Sequence, residues 1–170
     1  MPVRALALLA ALAALPAAAQ TAAADSVAGR PVAYAFASTG LRVTLPPGWS
    51  GDASADESRL PAYALYVFGG GPAGAVLRVE YVGGLNPLEQ ERWRTGAVGW
   101  GYHGTRPVGP AALPVDGLGV EVEGAGRAGA VAFVRRGQAY WALHVSAPSA
   151  VWAARRADVL AALAGVALPE

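Results

Sequence analysis

The sequence contains no cysteine and no lysine. Without cysteine there can be no disulfide, thiolate metal site, cysteine nucleophile or lipid-modified cysteine anchor. Without lysine, every basic side chain other than the two histidines is an arginine. Charged residues make up only 15% of the chain, whereas 54% is hydrophobic, a balance that argues against disorder. The formal charge is +1, and loss of Arg4 in a cleaved leader would bring it to neutral. Scattered arginines on a neutral chain give no electrostatic case for binding nucleic acid or an anionic membrane. Two motifs are missing as well. No Gly-x-Ser-x-Gly elbow is present. His103 and His144 fall in no His-x-x-x-His or Glu-x-x-His spacing, so no catalytic metal and no cofactor is expected.

What is present begins with a leader pattern. Arg4 supplies the charge, Ala5 to Leu15 the apolar run, Pro16 the break, and Ala17-Ala18-Ala19 the small residues before Gln20. The run is shorter than the roughly 20 residues of a spanning helix, so no stable membrane insertion is expected after cleavage. The pattern predicts a signal peptide over 1–19 and export to the periplasm or beyond. Residues 20–37 read as a flexible lead-in, in which Val32 to Phe36 adds a short strand. Residues 38–170 read as one domain, large enough to bury a core unaided. There is no internal repeat at a domain-forming period.

Along that domain, Leu41 to Leu45 alternates apolar and polar residues as a half-buried strand does. Pro46-Pro47-Gly48 ends it, and Trp49 is expected to fold back onto the core. Asp52, Ser54 and Asp56 imitate the start of a calcium loop, but Glu57 replaces the turn glycine and Tyr63 the closing glutamate. Asp52 to Ser58 therefore reads as a solvated loop. Tyr63 to Phe68 and Val76 to Val82 read as a hairpin around a glycine-rich turn. Asn86-Pro87-Leu88-Glu89 is a helix start, with Asn86 as cap, Pro87 preset and Glu89 able to reach back, and the helix should run to about Ala97. Gly104 to Pro114 reads as a loop holding a short strand at Thr105 to Val108, and Leu118 to Glu123 alternates strictly.

The densest apolar pattern lies in Gly129 to Val166. Ala130 to Val134 and Ala139 to Val145 form a hairpin through Arg135-Arg136-Gly137-Gln138. Pairing Arg135 with Gln138 would set Phe133 opposite Tyr140, and a bulge at Gly137 would shift that by one residue. Val131, Phe133, Tyr140 and Ala142 share one face, and Val134, Trp141, Leu143 and Val145 the other. A strand apolar on both faces is covered on both. A helix follows from Pro148, capped by Ser146 or Ser149, with Trp152, Val159, Leu163 and Val166 in its buried stripe and Gly165 near its end.

These elements predict an α+β domain: an antiparallel sheet of about six strands, sandwiched by helices and closed by the C-terminal helix. The Leu-x-Val-x-Leu-Pro-x-Gly-Trp stretch (Leu41 to Trp49), the capped helix at Asn86 and the closing helix after Ala147-Pro148 together resemble the PsbP-like family. The resemblance spans about Leu41 to Leu163 and implies an antiparallel sheet between helices. It also implies a mostly non-catalytic binding or assembly role, and carries over no ligand residue.

Chemistry has few footholds. His144 lies on a central strand, where a hydrogen-bonded structural role is expected. Glu121 and Glu123 share a strand face, and Glu80 is a third carboxylate that would allow acid–base hydrolysis if all three converged. Trp93, Trp100, Tyr102 and His103 gather among glycines as a candidate platform for a ligand or partner. The expectation is an exported non-catalytic binding or accessory domain for an unknown protein or small molecule. The alternatives are a carboxylate hydrolase and a structural protein-interaction module.

Overall fold

In a computed structural model of the chain, residues 29–84, 86, 88, 91 and 105–170 are described. The leader at 1–19, most of the Pro87–Ala97 helix, and the Trp93–His103 cluster lie outside the described residues. Within them run β1 (Val32–Phe36), β2 (Leu41–Leu45), β3 (Ala53–Arg59), β4 (Tyr63–Phe68), β5 (Val76–Val82), β6 (Arg106–Pro110), β7 (Leu118–Gly124), β8 (Arg127–Arg136) and β9 (Ala139–Pro148). Helix α1 (Ser149–Ala164) and the short β10 (Val166–Ala167) close the chain.

The strands form two antiparallel sheets, not one sheet of about six strands. The large sheet has the order β3-β4-β5-β9-β8-β7-β6, and the small one β1-β2-β10. The β8–β9 hairpin is thus in the middle of the large sheet, apolar on both faces as its sequence requires. One face carries Ala132, Val134, Trp141, Leu143 and Val145 into the main core, which also holds Leu41, Val43 and Leu45 of the small sheet and Trp152, Val159 and Leu163 of α1. On this side, then, the covering layer is a helix together with a second sheet, rather than helices alone. The opposite face buries Val120, Val122, Val131, Phe133 and Ala142.

The hairpin register differs from that predicted. Arg136 pairs with Ala139, Arg135 with Tyr140 and Phe133 with Ala142. Pairing continues to the last residue because Gly137-Gln138 alone makes the turn, with Gly137 at φ +56°, the backbone a two-residue hairpin needs. The register moves by two residues, so each side chain keeps its face.

Asp52 to Ser58 is not a loop. Ala53–Arg59 forms β3, the edge strand beside β4, with Ala53, Ala55 and Glu57 half-buried and Ser54, Asp56 and Ser58 exposed. Its inward side chains are too small to announce a strand, and its polar outer row suits an edge. Val32–Phe36 belongs to the domain rather than to a flexible lead-in. Tyr34 stacks on Phe68 at 5.2 Å and Phe36 on Tyr66 at 4.4 Å between ring centroids. Trp49 folds back onto the core and is 4% exposed.

Helix α1 buries Trp152, Val159, Leu160, Ala162 and Leu163, as its periodicity predicts. Neither Ser146 nor Ser149 caps it. β9 runs on to Pro148, and the first free amide, Ser149 N–H, donates to Gly126 O at 3.0 Å. Val166 is not part of the helical stripe either, because the helix stops at Ala164 and Val166 pairs with Val43 in β10. At the other predicted helix, Asn86 Oδ1 accepts from Leu88 N–H at 3.0 Å, the bond expected of a cap, and Leu88 and Glu91 are helical.

On the α1 side of the sheet Arg156 donates to Glu121 through Nε at 3.0 Å and Nη2 at 2.5 Å. Both side chains are partly exposed, so solvent screens the pair. Glu121→Gln is expected to lower stability by no more than about 1 kcal/mol in urea unfolding, and a cost above about 2 kcal/mol would show that the pair is structural.

Candidate functional site

Side-chain alternation decides the carboxylate question. Glu80 on β5 pairs with Ala142 and shares the face of Val131 and Phe133. Glu121 on β7 pairs with Ala130 and points to the opposite face, towards α1. Two strands separate β5 from β7, a lateral distance of about 14 Å at the usual spacing. The sheet itself therefore stands between the two carboxylates, and two-carboxylate hydrolysis has no site in them. Glu121 is bonded to Arg156, and Glu123 to Arg106. Among the described residues no group of three or more His, Asp or Glu could hold a metal ion.

Glu80 instead belongs to a polar row on the Val131 face. Glu80 is 5% exposed, His144 2% and Ser146 3%. Arg78 is the direct cross-strand partner of His144, and Val76 of Ser146. Tyr63 on β4 donates its hydroxyl to Glu80. Burial, followed by the nearby Glu80 carboxylate, pushes the Tyr63 phenol up to about 12, so it remains a neutral donor at physiological pH. Arg59 lies over the Tyr63 ring at 4.2 Å from its centroid. His144 is buried in this row.

A concave feature lies on the other face. A cleft of about 320 Å³ opens between the β6–β7 loop, the turn end of the β8–β9 hairpin and the chain after α1. Val134 and Leu143 form its floor, each nearly fully buried. Leu113 and Val115 form one wall and Val166 and Leu168 the other. Arg136 and Asp116 stand at the rim, with Arg136 Nη2 3.9 Å from Asp116 Oδ2. Asp116 is almost fully exposed, and among the described residues the Arg136 guanidinium has only this long contact and a 3.4 Å bond to Arg135 O. An aliphatic floor with a lightly held cation at the mouth suits a small amphipathic anion.

Sequence reading did not single out these residues. The apolar run Ala111-Ala112-Leu113-Pro114-Val115 inside a loop was the available signal, since a loop that buries no ligand or core has no use for it. Trp93, Trp100, Tyr102 and His103 lie outside the described residues, so their relation to the cleft is not part of this geometry.

The architecture has a known counterpart. The chain has a PsbP-like fold. The solution structure of cyanobacterial PsbP from Synechocystis sp. PCC 6803 superposes on it with a TM-score of 0.53, covering 85% of this chain and 96% of that one. Sequence identity is 10%, so the likeness speaks for the fold alone. No family model matches the sequence, and no curated protein does. Among the described residues no helix is long and apolar enough to cross a membrane.

Proposed function

We propose that this chain is an exported, non-catalytic binding or accessory domain whose cleft takes a small amphipathic anion. The observation that carries this reading is the cleft that has Val134 and Leu143 at its floor and Arg136 at its rim. The PsbP-like fold supports an accessory or binding role. The sheet separates Glu80 from Glu121, and Glu121 and Glu123 are each bonded to an arginine, so the carboxylates favour this reading over a hydrolase. Export rests on the leader pattern of Met1 to Ala19. In this reading the apolar part of the ligand lies on Val134 and Leu143, and its acidic group displaces Asp116 from Arg136.

The fluorescent probe 8-anilinonaphthalene-1-sulfonate, an apolar ring system with one acidic group, tests this directly. The folded chain is expected to bind it saturably at one site. Val115→Trp fills the cleft from a half-buried loop position and should weaken binding by about tenfold. Arg136→Gln should weaken it by about threefold to tenfold through loss of the charge-assisted contact. Unchanged binding in Val115→Trp would show that the cleft is not the site.

A further inference from the structure

The polar row on the Val131 face contains an arrangement that the cleft does not use. Among the described residues four arginines have carboxylate partners: Arg106 with Glu123, Arg136 with Asp116, Arg155 with Asp158 and Arg156 with Glu121. Arg78 and Arg127 are different. Both are half-buried, and among the described residues no carboxylate bonds either one.

Sheet register brings them to the same face. Arg78 pairs with His144, His144 with Val131, and Arg127 lies four residues before Val131 on β8. Side chains of one strand return to the same face every second residue, so Arg78, His144, Ser146 and Arg127 all project from one side. Arg127 is pinned there. Its Nη2 donates to Ser146 O and to Gly74 O, each at 3.0 Å, and both Nη2 and Nε reach Ser146 Oγ at 3.3 Å. Every acceptor it meets is neutral. Partial burial, followed by the positive charge of Arg78, holds the Arg127 pKa below the usual arginine value. The Arg127 guanidinium sits at Ser146, whose cross-strand partner Val76 is two residues from Arg78 on the same face, so the two cations share one patch, an arrangement that an anion stabilises. The nearest acid along β5 on this face, Glu80, accepts from Tyr63.

We propose that Arg78 and Arg127, with the Ser146 hydroxyl, form a binding site for a phosphate dianion, either free or as a monoester. Two cations balance its charge. The guanidinium forks match its tetrahedral oxygens, and Arg127 is already oriented by Ser146 and Gly74, so little ordering cost remains. The site lies on the face of the sheet opposite the amphipathic cleft, and its failure would leave the cleft reading standing.

Titration calorimetry of the full chain tests the site, with inorganic phosphate in one arm and glycerol 3-phosphate in the other. Saturable binding is expected in at least one arm, and the tighter arm identifies the source of the phosphate group. Arg78→Gln, which removes no hydrogen bond seen among the described residues, should weaken binding by about tenfold or more. Arg127→Gln should do the same, and its loss of the Gly74 and Ser146 contacts is checked by circular dichroism. Arg155→Gln, on α1 over the opposite face of the sheet and paired with Asp158, should bind as the parent does. Two results would overturn the proposal: no saturable binding of either probe up to about 10 mM, or parent-like affinity in Arg78→Gln.

Discussion

Trp141→Ala is expected to cost about 3–5 kcal/mol and to lower the thermal midpoint by about 10 °C or more. Trp141 is fully buried on β9, the fourth of the seven strands in the large sheet. It pairs with Tyr81 on one side and Val134 on the other, and its ring meets the Tyr81 ring edge-on at 5.1 Å between centroids. Truncation would remove the largest fully buried side chain from the layer between the sheet and its covering elements. A central strand has neighbours on both sides and cannot move to close the gap. The indole also carries a cost. Its Nε1–H is buried and meets no acceptor among the described residues. Trp141→Phe removes that unpaired donor while keeping an aromatic ring, so it should cost far less than Trp141→Ala, within about 2 kcal/mol of the parent. Chemical denaturation of both variants checks the pair of values. A phenylalanine variant as unstable as the alanine one would show that ring shape, not buried apolar volume, is what the site requires.

The second large effect is expected at Gly165. A Cβ built there would lie 1.8 Å from the Thr44 carbonyl oxygen. Gly165 O also accepts from Thr44 N–H at 2.8 Å, so the two backbones are drawn together as well as crowded. Thr44 cannot retreat, because it sits on β2 with Ala33 of β1 on its other side. Gly165→Ala is therefore expected to cost about 1–3 kcal/mol, and Gly165→Val more. The damage should be local at first. Amide exchange at Val43 and Thr44 should speed up before the large sheet is affected. Stability of Gly165→Ala within about 0.5 kcal/mol of the parent would refute the close approach.

Gly165 also shows what a single sequence leaves hidden. Its position near the end of an amphipathic helix marks it as a helix stop, and the helix does end at Ala164. Nothing in the local pattern says that a glycine is needed because another strand passes against it. Val166 fits the helical spacing of Trp152, Val159 and Leu163, and turns instead into β10 because Val43 is there to pair with. β3 was hidden for a different reason. Alanines inside and serines and aspartate outside give an alternation too weak in hydrophobicity to separate from a polar loop.

The same limit applies to the sites. The three glutamates could be found in the sequence, but their separation could not, because it depends on which strands lie between them and on which face each side chain emerges. The cleft is assembled from a loop, two central strands and the chain after α1. Arg78 and Arg127 are far apart in the chain, and Arg127 reaches across the sheet to the Gly74 carbonyl, 53 residues away.

By itself, the sequence determined the α+β class, the span of most strands, the two-sided apolar hairpin, the buried stripe of α1 and the cap at Asn86. All of these depend on residues near one another in the chain, through alternation, helical spacing and turn chemistry. Only the tertiary structure decided that there are two sheets, that Glu80 and Glu121 are kept apart, that Arg136 stands at the rim of a cleft floored by Val134 and Leu143, and that Arg78 and Arg127 emerge on one face of the large sheet. Each of those depends on strand order and register, which are fixed by how distant segments share a core.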